Sequence, residues 1–217
     1  MAQQPAEADW QRTIQVVGRG QANTAPDVAV VQLGVRTTAP TAQEASQAAA
    51  AALNAMLAVV RQAGVADRDI QTGYVNISPE YQHGPEGARR IGHSAMNTVQ
   101  VRVTSLEKTG AIIDAIIAAG GDLVVINSVQ LEASDTQAAR ADAQRMALLD
   151  ARAQAEHMAG VLGVTVGPVL QIGQSAPPRP GPLRGARMMA KMVADVTPIE
   201  AGELTISTEI AVTFALT

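Results

Sequence analysis

The sequence lacks cysteine altogether among its 217 residues. This absence excludes disulfide bonds, thiolate metal sites and cysteine nucleophiles. It is typical of proteins in an oxidising compartment, where stray thiols would mispair, and equally of many cytosolic proteins. Aromatic residues are also scarce, at 2% of the chain. The hydrophobic core must therefore be built from aliphatic side chains and alanine.

Long apolar runs and a basic excess are absent as well. No run approaches the roughly 18 to 20 apolar residues that a membrane-spanning helix needs, so we expect no integral membrane segment. The net charge is -4. Nucleic-acid-binding domains usually carry a clustered basic surface, so we also expect no nucleic-acid partner.

The amino-terminal residues 1–11 are small, polar and proline-containing, which predicts a flexible segment. They have neither the charged nor the apolar region of a signal peptide. This start resembles that of a mature exported chain with an initiator methionine added. A cytosolic protein with a frayed end is the alternative. The remaining residues, 12–217, are predicted to form a single domain.

Apolar periodicity predicts an α+β fold, with a largely antiparallel twisted sheet covered on one face by about three helices. The predicted order is ββαββαβαβ, then a long loop, then β. Helices with apolar residues at spacings of three and four are predicted over 42–63, 106–119 and 135–162. Thr41, with Glu44 three residues on, predicts a capping box at the start of the first helix. The apolar face predicted for the last helix consists of Leu148, Ala151, Ala155, Met158 and Leu162. Strands with period-two alternation are predicted over 12–17, 28–37, 69–82, 90–104, 123–131, 164–173 and 203–215.

A glycine pair, Gly18 and Gly20, directly follows the first strand-like run. A dinucleotide-binding loop needs a third glycine and then a helix whose N-terminal amides hold the pyrophosphate. Asn23 stands at the third position, and a second strand-like run begins soon after Pro26. We therefore interpret the pair as the turn of a β-hairpin, and we predict no cofactor and no cofactor-binding residue.

Residues 92–96 match only the first part of a catalytic serine motif. Gly92-His93-Ser94 begins like a nucleophile elbow, but Met96 occupies the position of the last glycine. The motif also lies inside a strand pattern rather than at a strand-to-helix turn. A serine on the surface of a hairpin is the better interpretation of Ser94.

Histidines do not form an evident metal site. If the predicted hairpin folds about Glu86, His93 lies opposite Pro79, several residues along the ladder from His83. Zinc-bound imidazole nitrogens lie about 2.0–2.1 Å from the ion, so we predict no shared site and no metal ligands. His157, on the last predicted helix, is interpreted as a residue of its polar face.

Carboxylates are scattered along the chain. Asp67 and Asp69 flank Arg68 in a predicted loop, and Asp142 and Asp150 are eight residues apart on one predicted helix. An acid pair could act across a cleft, but this spacing does not place one there. We interpret these groups as solvated charges, predict no catalytic residue, and expect that the protein is not an enzyme.

One segment rich in proline, glycine, arginine and methionine, at about 175–197, has no evident role. Its first part, 175–187, is predicted to lack regular structure because proline removes donors and fixes φ. Met188, Met189 and Met192 cluster in its second part, and thioether sulfur favours Cu(I). A copper site, an arm that becomes ordered against a neighbouring subunit, and a plain flexible loop are the three hypotheses.

Short sequence pieces occur in a definite order along about residues 12–215. They are Val17-Gly18-x-Gly20, Pro26-Asp27, Thr41-Ala42-x-Glu44-Ala45, Gly64-Val65, Asp69-Ile70-Gln71-Thr72, Ile77-Ser78-Pro79-x-Tyr81, Asn97-x-Val99-x-Val101, Ile113-Asp114 and Pro198-Ile199-Glu200-x-Gly202. These pieces and their order resemble one family, the SIMPL-domain or DUF541 family, which includes bacterial 26 kDa periplasmic immunogenic proteins.

The resemblance implies a periplasmic or secreted bacterial protein that self-associates, in some members into ring-like or channel-like assemblies. It implies no catalytic residues, and the roles proposed for the family concern envelope integrity and stress tolerance. We therefore expect a non-enzymatic homo-oligomer with a role in the envelope or in stress. The alternatives are a binding module for copper or a small apolar ligand, through the methionine-rich segment, and an enzyme with dispersed carboxylates.

Overall fold

The computed structural model describes residues 12–85, 87–175, 180–182 and 197–217. Residues 1–11 and the methionine cluster of the 175–197 segment lie outside these ranges, so the predictions on them stay predictions. The elements are β1 (Thr13–Thr24), β2 (Val28–Ala39), α1 (Ala42–Gln62), β3 (Ile70–Gly84), β4 (Gly87–Val103), α2 (Leu106–Gly120), β5 (Val124–Glu132), α3 (Gln137–Val161), β6 (Val166–Ser175), β7 (Pro180–Pro182) and β8 (Leu204–Leu216).

The α+β class, the antiparallel pairing and the predicted element order are confirmed. The short strand β7 corrects our expectation that residues 175–187 have no regular structure. Pro180, Gly181 and Pro182 pair with Ile206, Thr205 and Leu204 of β8. Among the described strands β7 pairs with β8 alone, and proline is tolerated on an edge strand of this kind.

The strands form two antiparallel sheets rather than the single sheet that we predicted. Alternation shows that a strand has one buried face, but it does not show which sheet the strand joins. The described residues form two compact units: unit 1 comprises 12–25, 135–175, 180–182 and 203–217, and unit 2 comprises 26–85, 87–134 and 197–202. The chain passes from one unit to the other more than once, so the two units do not by themselves establish two domains. The single-domain prediction stays a prediction.

Unit 2 is a sheet of order β3-β4-β2-β5 covered by α1 and α2. The capping box predicted at the start of α1 is confirmed: Thr41 Oγ1 accepts a hydrogen bond from the Glu44 amide, and the Glu44 carboxylate accepts one from the Thr41 amide. The core consists of aliphatic side chains on both layers, among them Val31, Leu33, Val35, Ala45, Ala49, Met56, Val60, Val99, Val101, Ile113 and Ile116.

Unit 1 is a sheet in which β8 lies between β1 on one side and β6 and β7 on the other. The alternation predicted for the last strand is confirmed. Its inward residues are all buried, and α3 packs over β1 and β8. Those residues are Leu204, Ile206, Thr208, Ile210, Val212 and Phe214.

The helix face that α3 buries differs from our prediction. Ala151 and Ala155 are buried as expected, but Leu148, Met158 and Leu162 are exposed. The buried row is instead alanine at every fourth position: Ala139, Ala143, Ala147, Ala151, Ala155 and Ala159.

The glycine pair explains this alanine row and is not a turn. Gly18 and Gly20 lie in the middle of β1, opposite Ile210 and Thr208 of β8. A Cβ at either glycine would stand 1.9 Å from a backbone oxygen of α3. The glycines therefore let the helix backbone approach the strand so closely that only alanine fits between them. The hairpin predicted between β1 and β2 is wrong, since β1 pairs with β8.

Candidate functional site: an open sheet edge and an apolar groove

Ser94 lies in the middle of β4, opposite Thr38 of β2 and Ser78 of β3. Its neighbour His93 points to the other face of the sheet, because successive strand residues alternate. The His93 Nδ1 atom lies 3.4 Å from the carbonyl oxygen of Pro40. Ser94 thus sits in regular strand with its adjacent histidine turned away, which is not the arrangement of a nucleophile elbow.

The three histidines lie at separate places. His93 is opposite Pro79, which confirms the predicted register, and His83 is opposite Ala88 near the hairpin end. His157 belongs to α3 in unit 1. In the part of the chain that the structure describes, no group of three or more histidine, aspartate or glutamate side chains is placed to hold a metal ion.

The carboxylates singled out from the sequence have structural partners. Asp67 accepts a 2.7 Å hydrogen bond from Arg61 Nε at the end of α1. Asp150 accepts 2.8 Å hydrogen bonds from the Arg19 amide of β1 and from Gln154 Nε2. Asp150 therefore helps to fix α3 on β1.

Two further carboxylates, which sequence reasoning did not select, tie distant stretches of unit 2 together. Asp27 accepts hydrogen bonds from the hydroxyl and the amide of Ser134, and these bonds lower the pKa of Asp27. Asp114 accepts them from the hydroxyl of Thr197, at 2.5 Å, and from its amide, at 3.0 Å, which lowers the pKa of Asp114. Both acids belong to the pieces that carry the family resemblance, so those pieces mark structural ties.

The first candidate surface is the outer edge of β3, which we call the β3 edge. β3 is 15 residues long and is the terminal strand of the order β3-β4-β2-β5. It is therefore about three times as long as an average strand. Among the described residues β3 pairs with β4 alone, so its other side presents backbone donors and acceptors that no described strand pairs with.

An apolar row runs along this strand. The sequence pattern places Val75, Ile77, Pro79 and Tyr81 on one face. In the structure Val75, Ile77 and Tyr81 are 58%, 43% and 51% exposed. Ile77 lies opposite Ala95 of β4, which is fully buried. The helices of unit 2 therefore cover this face at β4 and leave it open one strand further out.

Few charged side chains protect the β3 edge against pairing with another strand. The strand has one acidic residue, Glu80, and no lysine or arginine. The Glu80 carboxylate accepts a 3.1 Å hydrogen bond from Thr38 Oγ1 of β2, two strands away. It is therefore directed across the sheet, above Gly92 of β4, rather than outwards. β3 therefore lacks outward charges, which are one of the devices that protect natural edge strands.

The second candidate surface is a groove of about 580 Å³ in unit 1, which we call the α3 groove. It forms because α3 lies over β1 and β8 and leaves β6 largely uncovered. The lining is mostly aliphatic, and Leu149 and Ile172 are 56% and 59% exposed. The lining residues are Ala141, Gln144, Arg145, Leu148, Leu149 and Arg152 of α3, Val169 and Ile172 of β6, and Val212 and Phe214 of β8.

Two charged residues, both arginines, line the α3 groove in the described part of the chain. Arg145 forms an ion pair with Asp142 at 3.3 Å, and Arg152 forms one with Glu156 at 2.7 Å. The two acids do not line the groove themselves. One signal for the groove was visible in the sequence: alanine at every fourth position of α3 fills the helix face towards the sheet, so the adjacent Leu148 and Leu149 must lie beside it.

The sequence matches the family model SIMPL, described as a protein of unknown function (DUF541), over residues 14–214. The chain belongs to the SIMPL family. The resemblance inferred from the short sequence pieces is therefore confirmed, and the match includes residues of both units.

Three SIMPL relatives illustrate the range of similarity. The "26 kDa periplasmic immunogenic protein" of Brucella melitensis is 32% identical over 230 residues, which cover 100% of this chain and 87% of the relative. The "Uncharacterized protein YggE" of Edwardsiella ictaluri is 29% identical over 156 residues, 71% of this chain and 64% of the relative. YggE of Escherichia coli K12 is 26% identical over 187 residues, 86% and 73% of the two chains.

None of the helices within the described ranges combines the length and the hydropathy needed to cross a membrane.

Proposed function

We propose that this SIMPL protein is a non-enzymatic, self-associating protein of the periplasm or the extracellular space, and that its assembly supports the cell envelope under stress. The observation that carries the proposal is the β3 edge. It is long, open, apolar on one face and free of outward charge over much of its length.

Pairing of the β3 edge with a second copy of the chain would satisfy its free backbone groups and cover its apolar row. Each backbone hydrogen bond adds little by itself, about 1 kcal/mol, but a 15-residue strand offers several of them. Burial of half-exposed Val75, Ile77 and Tyr81 adds the hydrophobic contribution. Addition of a strand to an open sheet edge is a common mode of protein association.

The proposed location draws on the names of relatives and on composition. The Brucella relatives are named periplasmic proteins. The absence of cysteine suits an oxidising compartment. Fractionation of the native host with an antibody against this chain tests the location, and recovery with cytoplasmic markers would contradict it.

The test of self-association is the particle mass in solution, measured by light scattering and sedimentation velocity over a hundredfold range of concentration. We expect a mass several times that of the 22.4 kDa chain. Val75→Lys places a charge on the open face of β3 and should shift the protein towards monomer. A monomeric wild-type protein at every concentration would overturn the proposal.

Val17→Lys is the matched control, since Val17 is also a half-exposed valine on a terminal strand, β1 of unit 1. Circular dichroism of both variants establishes that each is folded. If Val17→Lys dissociates the assembly and Val75→Lys does not, the interface lies on β1 rather than on the β3 edge.

The envelope role is tested in a host strain that lacks the gene. We expect lower survival in detergent or heat, restored by the wild-type gene and not by the gene carrying Val75→Lys. Full restoration by a monomeric variant would separate self-association from the envelope role.

A further inference from the structure

We propose that the α3 groove binds a long-chain fatty acid, with the acyl chain against Leu149 and Ile172 and the carboxylate on Arg152. The proposal concerns unit 1 alone and does not depend on self-association through the β3 edge.

The shape and lining of the groove suit an acyl chain. Its volume of about 580 Å³ lies within the range of about 300–1,000 Å³ typical of small-molecule sites. Large aliphatic side chains from α3 and β6 face it while remaining about half exposed: Leu148, Leu149, Val169 and Ile172. A continuous apolar surface of this kind on a soluble protein is a mark of a binding surface.

The charge at the groove selects an anionic head group. Arg145 and Arg152 are seven residues apart, or about 10 Å along the helix axis at 1.5 Å per residue. Leu148 and Leu149 lie between them in sequence, so the positive charges stand on either side of the apolar stretch. No carboxylate lines the groove among the residues that the structure describes. An amphiphile with one negative charge is therefore complementary to it, and a neutral or cationic amphiphile is not.

Arg152 is the better head-group ligand because of how its present bonds are arranged. It bonds Glu156 through Nε, which leaves its two Nη groups to form a fork for a carboxylate. Arg145 already donates from one of its Nη groups to Asp142. All four charged groups are more than half exposed, so neither ion pair contributes much to stability, and Arg152 can accept a second carboxylate.

Titration calorimetry of the whole protein with octanoate, decanoate and dodecanoate, below their micelle concentrations, tests the proposal. Affinity should rise by up to about fourfold for each added methylene, because each buried methylene contributes about 0.8 kcal/mol. Dodecanol, which keeps the chain and loses the charge, should bind about tenfold more weakly than dodecanoate. If dodecanoate gives neither a heat of binding nor saturation, the proposal is overturned.

Matched substitutions on α3 distinguish the head-group site from general attraction to a cation. Arg152→Gln should weaken dodecanoate binding about tenfold, whereas Arg140→Gln, on the same helix but outside the groove lining, should not change it. Equal losses in the two variants would contradict a specific role for Arg152.

The acyl-chain site has its own pair of variants. Leu149→Asn should lower both the affinity and the gain per methylene, whereas Val161→Asn, at a 76% exposed position of α3 outside the lining, should change neither. Equal effects of the two variants would overturn the acyl-chain site.

Two outcomes separate this inference from the self-association proposal. Val75→Lys alters the β3 edge in unit 2 and should leave dodecanoate binding unchanged. If Leu149→Asn instead lowers the particle mass while the wild type binds no dodecanoate, the α3 groove is a contact between copies of the chain, and the fatty-acid proposal is wrong.

Discussion

Gly18 of β1 lies against Ala147 of α3 so closely that a Cβ on the glycine would stand 1.9 Å from the Ala147 carbonyl oxygen. Gly20 has the same relationship to Ala143, one helical turn away. Helix and strand are thus in backbone contact along two turns, with the small residues of each matched to those of the other. This contact places α3 over β1 and β8, and it leaves β6 open as one wall of the α3 groove.

Gly18→Ala should destabilise unit 1. The added methyl meets the backbone of α3, which has no flexible side chain to move aside, so the helix must shift away from β1. Overpacking of this kind costs about 1–3 kcal/mol and occasionally more. Urea unfolding followed by circular dichroism measures the loss. Gly173→Ala in β6, where a Cβ meets nothing within 4 Å, is the control and should change stability by less than about 1 kcal/mol.

Gly160→Ala should have the opposite sign. Gly160 lies near the end of α3, has nothing within 4 Å of an added Cβ, and does not have positive φ. Alanine there gains helix propensity without a clash, so we expect a stabilisation of up to about 1 kcal/mol in the same urea experiment. A destabilised Gly160→Ala protein would indicate that the end of α3 contacts another surface in solution.

The misreading of the glycine pair has a physical cause. In a single sequence, glycine is consistent with a turn, with a bulge and with a close approach of two backbones. The deciding fact is the alanine row of α3, which lies more than a hundred residues later. Long-range matching of this kind is invisible to local periodicity, and the division of the strands between two sheets is invisible for the same reason.

In contrast, the features that depend on neighbouring residues alone were predicted correctly from local sequence patterns. The capping box at Thr41, the hairpin register that sets Pro79 opposite His93, and the alternation of β8 follow from neighbouring residues alone. The alternation of β3 was also evident from the sequence. The sequence did not show that the helices stop short of this strand. Exposure of the β3 edge and of the α3 groove depends on where the helices lie, which is set by packing.

Thr41→Ala should destabilise unit 2 by about 1 kcal/mol, because it removes the side-chain half of the capping box at α1. Ser105→Ala is the matched control, since Ser105 precedes α2 without a side-chain cap hydrogen bond. We expect the control to lose less than Thr41→Ala in thermal and urea unfolding. Equal losses would show that the Thr41 hydroxyl adds nothing beyond its position before a helix.

The hydrogen bonds between Asp27 and Ser134 should make the stability of the fold depend on pH. The hydrogen bonds from Ser134 hold the pKa of Asp27 below its usual value in the folded protein. The unfolded chain therefore binds more protons near that pKa, and stability rises with pH in this range. The contribution is fully present above the unfolded pKa, about 3.9, and is lost as pH falls through the lower folded pKa.

We expect Asp27→Asn to be less stable than the wild type at neutral pH, and the difference should shrink as pH falls below about 4. Urea unfolding between pH 2.5 and 7 measures this, with Asp122→Asn, at an exposed position of the same unit, as the control for loss of one negative charge. Ser134→Ala removes the hydroxyl donor and should reproduce part of the Asp27→Asn pH profile, because both variants break the same hydrogen bond. If the difference in unfolding free energy between Asp27→Asn and wild type stays constant across the whole pH range, the negative charge of Asp27 contributes nothing to the tie with Ser134.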